Sequence, residues 1–453
     1  MKHFYFFLLS ALVCLSLSAQ SKVSGDSLAA DFHYLVKQLE ATHPDPYTGF
    51  GGKVFFHKQA FDLENELRSK PHTLQEFWDK SMAFLSFIQD GHTYLFSLAP
   101  KQRQEQSYLP VGFRCIPDGL IVQSLPAAHQ DLLGSLLTGI NGKSMDELLV
   151  RTASLFACEN LYNRYSVFCR NVARKQFMQQ LLPDLEDTVC LNLRTPDGKE
   201  MTLEQHFMDN EDLRKAEKAS LPSWEGCPEE QMAYRFIDKK KEVMMFKVNS
   251  IMARDNFDYM YKYMKGDLFR QMEFYYQNTL RKEMPADTLQ AIHALPSFSG
   301  TFATMLKEMK KNRSEYLIID LRGNSGGWTP IVLATLYQLY GDKYLQEDMD
   351  TEYYRIVSPL YMNKLEVTLE EFNKRYGTDY NFGDYTFSME EQEDVPLDTL
   401  RRQFIDDCMS SVKEELRAQK GAPVYTPKQV FVVTDERTFS AAFHYSFMLW
   451  KMG

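Results

Sequence analysis

The sequence predicts an α/β protein in three parts: a helical N-terminal domain, a β-rich module, and a last domain whose helices alternate with a mainly parallel sheet. Three observations predict it. Apolar residues recur at helical spacing between Leu28 and Ile88; short strand-like pieces with turn residues between them fill roughly 105–205; fully apolar runs such as YLIIDL at 316–321 then alternate with amphipathic stretches. With 453 residues, 44% hydrophobic and 25% charged, the chain can bury more than one core.

Taken in order, residues 1–20 (MKHFYFFLLSALVCLSLSAQ) place Lys2 and His3 before an apolar stretch from Phe4 to Leu17, with the small residues Ser16, Ser18 and Ala19 behind it. That is the pattern of a secretory signal peptide, too short to be read as a membrane span. The expectation is an exported protein, periplasmic or extracellular, with no stable membrane span once the signal is removed.

Residues 21–104 read as the helical domain. Leu28, Phe32, Leu35, Val36 and Leu39 define a first helix that ends at the His43-Pro44-Asp45-Pro46 breaker. A second runs from about His57 to Arg68. A third opens on the capping-box pattern Thr73-Leu74-Gln75-Glu76 and continues through Phe77, Trp78, Met82, Leu85 and Ile88 to "QDGHTYLF". In 105–205 the pieces VGFRCI, GLIVQSL and SLLTGI lead to an Asn141-Gly142 turn and a helix that Ser144 and Glu147 cap, and Leu191 to Leu203 forms a hairpin about Asp197-Gly198. Residues 206–453 carry the strands VMMFKVNSI, YLIIDL and FVV among helices. A long acidic, tyrosine-rich insertion between Gly341 and Lys428 reads as a solvated excursion.

A formal net charge of −10 with no basic run excludes nucleic acid as an expected partner. Seven cysteines, Cys14 among them, are scattered with no C-x-x-C and no metal-ligand spacing. Neither a metal nor any other cofactor is expected.

Three short stretches carry the chemistry. In YLIIDLRGNSGGW (316–328), Gly323, Gly326 and Gly327 follow a buried strand. Glycines there free the backbone to take positive φ and to turn its N–H groups toward an anion or an oxyanion, although such turns are also common as mere structure. In VFVVTDERTFSAA (430–442), a strand and a tight polar turn deliver Ser440 to the start of a helix, where free N–H groups favour developing negative charge. The same residue would also serve as an ordinary helix cap. In Asp90-Gly91-His92-Thr93, a histidine at a helix end is a candidate general base, with His444, one turn past Ser440, as its rival.

In this order the stretches resemble one family, the C-terminal-processing or tail-specific serine proteases. The D-G-H-T at the end of a helical domain, "LLTGINGKSMDELL", "DLRGNSGG" and "TDERTFSAA" follow that family's layout over nearly the whole mature chain. The resemblance implies a PDZ-like module at 105–205 and a crotonase-like protease core at 206–453. It implies Ser440 as nucleophile, with an oxyanion hole from the Ala441 amide and an amide of the Gly326-Gly327 pair. In the tricorn-like branch His92 takes the serine's proton; the processing branch uses a downstream lysine, and Lys451 comes too early for that part. Phe443 stands where an acidic residue commonly follows S-A-A. The resemblance also implies a third catalytic group beyond Gly453, and so an incomplete catalytic domain.

The function expected is an exported serine endopeptidase acting on peptides or unfolded protein tails. The alternative is a silent relative that binds peptides or apolar ligands. An acyl-CoA enzyme of the crotonase type is disfavoured by the signal peptide and the PDZ-like module.

Overall fold

A computed structural model of the chain describes residues 22–96, 107–222, 231–347, 349, 354–387, 396–408, 413–418 and 420–453. The signal peptide expected at 1–20 lies outside these. They gather into two compact units, one within Met1–Ala219 and Tyr354–Phe387, the other within Ser220–Tyr353 and Ser388–Gly453.

The first unit opens with α1 (Gly25–Thr42), α2 (Lys53–Arg68) and α3 (Leu74–Ser86). Ser24 caps α1 by accepting the Ser27 N–H, and the capping box of Thr73 and Glu76 opens α3. Helix α2 begins before His57 because Gly51 and Gly52, at φ 82° and 117°, turn the chain into it. Phe32, Phe50, Phe56 and Phe84 interlock between the helices, Phe32 and Phe84 edge to face at 5.1 Å.

Strands β1 (Gly112–Ile116), β2 (Gly119–Pro126), β3 (Leu136–Ile140), β4 (Thr188–Arg194) and β5 (Glu200–His206) then pair antiparallel in chain order. Along β4, Val189, Leu191 and Leu193 are buried in alternation, so one face of the sheet makes a core with α4 (Met145–Leu155), α5 (Leu161–Asn171) and α6 (Lys175–Leu181). Part of the insertion joins this unit. Its hairpin of Tyr354–Ile356 with Tyr385–Phe387 encloses two short helices packed on Phe372, and the Tyr385 hydroxyl donates to the Pro44 carbonyl. Its aromatic residues therefore build a small core rather than a purely solvated excursion.

The second unit is built on a sheet ordered β6 (Met232–Phe236), β7 (Val243–Val248), β8 (Tyr316–Asp320), β9 (Gln429–Val433). The pair β6–β7 is antiparallel; β7–β8 and β8–β9 are parallel, with Lys247, Asp320 and Val433 side by side at the carboxyl ends. Helices α7 (Arg254–Tyr263), α8 (Phe298–Asn312), α9 (Pro330–Tyr340) and α10 (Ala441–Met452) complete it. Phe246, Phe298, Phe302, Leu306, Leu317, Ile319 and Tyr445 are buried in its core. Loops leaving the carboxyl ends of parallel strands are where α/β folds place their sites, and both the glycine stretch and the Ser440 turn leave from there. Among the described residues no helix is long and apolar enough to cross a membrane.

Candidate active site

Strand β9 ends at Val433, and Asp435 organises the turn that follows. Its backbone N–H donates to Thr438 Oγ1 (3.0 Å), its carbonyl accepts the Thr438 N–H (3.0 Å), and its carboxylate accepts the Arg437 N–H (3.0 Å). The same carboxylate receives the Gly323 N–H on both oxygens at 2.9 Å. One aspartate thus ties the turn after β9 to the loop after β8.

Ser440 stands at the N-cap of α10, with no capping hydrogen bond from its side chain. Its backbone sits at φ 52°, ψ −125°, a conformation that a residue with a Cβ adopts only when its surroundings impose it, at a cost of about 1–3 kcal/mol. The hydroxyl is carried on a sharp strand-to-helix turn at a positive helix terminus. Such a turn is how several hydrolases expose a nucleophilic serine.

The glycine loop lies directly against this turn. A Cβ built on Gly326 (φ 106°) would stand 2.8 Å from the Phe439 carbonyl oxygen and from Ser440 Cβ, and 3.0 Å from the Ala441 nitrogen. One built on Gly327 (φ 147°) would overlap the Ile251 carbonyl, because Ile251 clamps the pair: its N–H donates to Gly326 O (2.9 Å) and its carbonyl accepts the Trp328 N–H (2.8 Å). Only glycine fits at either position. The Gly326 N–H is already committed to Asn324 Oδ1 at 2.9 Å. The Gly327 and Ala441 N–H groups have no acceptor among the described residues. A serine hydroxyl and backbone N–H donors on the loop beside it are the parts that acyl transfer requires.

The model of the family described as peptidase family S41 matches residues 291–451, a span that includes the glycine loop and the Ser440 turn. The match is to this stretch and not to the whole chain. Similarity to that family supports a serine-type peptidase. The chain is also similar in fold to the crystal structure of mature CPAF, at TM-score 0.52 and 14% identity over 93% of this chain and 81% of that one. Mature CPAF complexed with lactacystin gives TM-score 0.50 at 14% identity, over 93% and 82%. A photosystem II D1 C-terminal processing protease is aligned at TM-score 0.35 and 9% identity, over 95% and 79%, too loosely to carry an argument. A search of curated protein sequences gives no match.

Beneath the glycine loop lies a buried ion cluster that the sequence reading did not single out. Lys247 Nζ donates to the Arg322 carbonyl (2.5 Å) and stands 3.4 Å from Asp320 Oδ1, while Arg322 grips the Asp320 carboxylate at 2.9 and 2.6 Å. With all three largely withdrawn from water, the charges neutralise one another and fix where the loop starts. Asn324 and Asp435 were likewise missed, because the partners that tie them to other segments, Val248 and Phe439 for Asn324 and Gly323 for Asp435, are remote in sequence. On α10, His444 Nδ1 lies 3.1 Å from Thr329 Oγ1, which engages the rival base with the loop rather than with its own helix.

His92 belongs to the first unit. Gln89, at φ 58°, turns the chain after α3, and Asp90 then accepts the His92 N–H (3.0 Å) and the Thr93 hydroxyl (2.5 Å). The imidazole is 57% exposed, and its Nδ1 lies 3.8 Å from both Asp90 Oδ1 and Glu159 Oε1. Glu159 is itself held by the Gly91 N–H at 3.1 Å. His43 Nε2, 3.5 Å from the other Asp90 oxygen, is the main cause that holds the Asp90 carboxyl well below the usual carboxylate range; Thr93 and the His92 N–H add to it and partial burial opposes it. Asp90, His92 and Glu159 bring ligand-type atoms within 4.8 Å of one another, the one such grouping among the described residues. Exposed acidic groups often cluster in this way without an ion, and no metal is assigned here.

Proposed function

We propose that this protein is an exported serine endopeptidase that cuts peptides or unfolded protein tails. The observation that carries the reading is the strained Ser440 at the head of α10, pressed against a loop that only glycine can form. Ser440 is the proposed nucleophile. His92 is its proposed base, with Asp90 and Glu159 orienting the imidazole through Nδ1 so that Nε2 takes the proton. The Gly327 and Ala441 N–H groups are the proposed oxyanion donors, and Gly326 shapes the approach between them.

The second unit is read as a crotonase-like core, and the antiparallel sheet of the first unit as a PDZ-like module whose groove takes a peptide carboxylate by strand addition. The signal-like residues 1–20 support export.

A fluorophosphonate probe and unfolded casein test the peptidase reading together. The wild-type protein is expected to label at Ser440 and to hydrolyse casein. Ser440→Ala should do neither, with turnover falling about 10⁴-fold or more. Hydrolysis that survives in Ser440→Ala would remove Ser440 from the mechanism.

A further inference from the structure

Asn324 is fully buried, at 0% exposure, and it joins four pieces of the second unit. Its backbone N–H donates to Leu321 O (3.0 Å) at the end of β8, and its Nδ2 donates to Val248 O (3.0 Å) at the end of β7. Its Oδ1 accepts the Gly326 N–H (2.9 Å), and its backbone carbonyl accepts the N–H of Phe439 (3.1 Å), the residue before Ser440. A side chain that donates on one side and accepts on the other in a single plane is an amide, and the bonds to Val248 and Gly326 use both halves.

These bonds do two separate things to the site. By taking the Gly326 N–H inward, Oδ1 leaves the next N–H, that of Gly327, as the donor the loop presents. By taking the Phe439 N–H, the backbone carbonyl anchors the residue that leads into the strained Ser440. We propose that Asn324 is the positioning residue of the oxyanion site, setting the Gly327 donor and the Ser440 turn in one frame. The proposal rests on the serine-peptidase reading above and deepens it. Asn324 touches no reacting atom; it acts through Gly326 and Phe439.

The test compares Asn324→Ala and Asn324→Asp with Leu306→Ala, a substitution in the core of the same unit. Asn324→Ala is expected to lose kcat by about 10²–10³-fold, the scale of a lost oxyanion donor, with KM nearly unchanged. Its affinity for a peptide boronate, which mimics the tetrahedral intermediate, should fall by the same factor. Leu306→Ala should lower the melting temperature yet leave kcat and boronate binding intact. A neutral, protonated carboxyl at 324 still offers one donor and one acceptor, so the ratio of Asn324→Asp kcat to wild-type kcat should rise as pH falls from about 8 to about 6. A purely structural role would leave that ratio flat. If wild type labels with fluorophosphonate and Asn324→Ala labels as fast and binds boronate as well, the positioning role is overturned alone. If wild type neither labels nor cleaves, the peptidase reading falls and the role falls with it.

Discussion

The Ser440 turn and the His92 turn each present a side chain suited to acyl transfer, and they are built in opposite ways. Around Ser440 the backbone is strained and the loop beside it is held from inside: Asn324 and Gly326 are buried, and the half-buried Asp435 carboxylate is filled by backbone N–H groups from two segments. Around His92 the backbone after Gln89 is an ordinary turn, the imidazole faces solvent, and the groups near it are two partly exposed carboxylates. The contrast teaches where rigidity is needed. An oxyanion donor works only if it is fixed before the charge develops, whereas a base has only to come within hydrogen-bond reach of the proton it takes. Substitutions in the first region should therefore change activity and stability together, and replacement of the exposed imidazole in the second activity alone.

His92→Ala gives the larger expected effect on rate. Removing a general base costs about 10²–10⁴-fold in kcat, while a side chain this exposed contributes little to the fold. Casein hydrolysis should collapse with the melting temperature unchanged. Unchanged hydrolysis would show that His92 is not the base and return attention to His444, which Thr329 engages.

Gly326→Ala should couple the two quantities. The new methyl would meet Phe439, Ser440 and Ala441 at 2.8–3.0 Å with the backbone at φ 106°, so both the strain and the displaced serine turn must be accommodated. About 1–3 kcal/mol of stability and about 10²–10³-fold in kcat are expected to go together. Loss of rate with no change in unfolding midpoint would break the contrast between the regions.

The same contrast explains what was legible in the sequence. Local devices could be read directly: the capping boxes at Thr73–Glu76 and Ser144–Glu147 form as their spacing implies, and the apolar run at 316–321 becomes a buried central strand. The glycine stretch and Ser440 stood out because turn chemistry is local. What could not be read was which glycine amide stays free, since that depends on Asn324 reaching Val248 and Phe439 across long gaps in the chain. Glu159 was invisible for the same reason, as its bond to Gly91 joins two distant loops. In α10, Phe447, Leu449 and Trp450 look alike as apolar residues near one another. Helical geometry separates them: Leu449 shares the buried face of Tyr445, Met448 and Met452, while Trp450, with Phe443 and Phe447, lies on the other side and is 72% exposed.

The smallest expected effect concerns what holds the His92 turn together. His43, Thr93 and the His92 N–H keep the Asp90 carboxyl well below its ordinary value, so folding favours the ionised form. A carboxyl whose folded pKa is depressed contributes stability that is fully present above its unfolded value, about 3.9, and is lost as pH falls through that value toward the folded one. Asp90→Asn removes the charge. After discount for solvent screening at a partly exposed group, it should cost about 1 kcal/mol at neutral pH and almost nothing in strong acid. Hydrogen exchange localises the effect: at neutral pH the amides of Gly91, His92 and Thr93 should exchange faster in the variant, while those of Asp435, Arg437, Thr438 and Phe439, which are hydrogen-bonded within the Ser440 turn and to Asn324, keep their protection. In wild-type protein the amides of Gly91, His92 and Thr93 should lose protection as pH falls below about 4, and those of Asp435, Arg437, Thr438 and Phe439 should not follow them. Equal loss in both segments would mean that the two turns open as one cooperative body, and the division of labour drawn between a rigid proposed nucleophile and a lightly held proposed base would have to be abandoned.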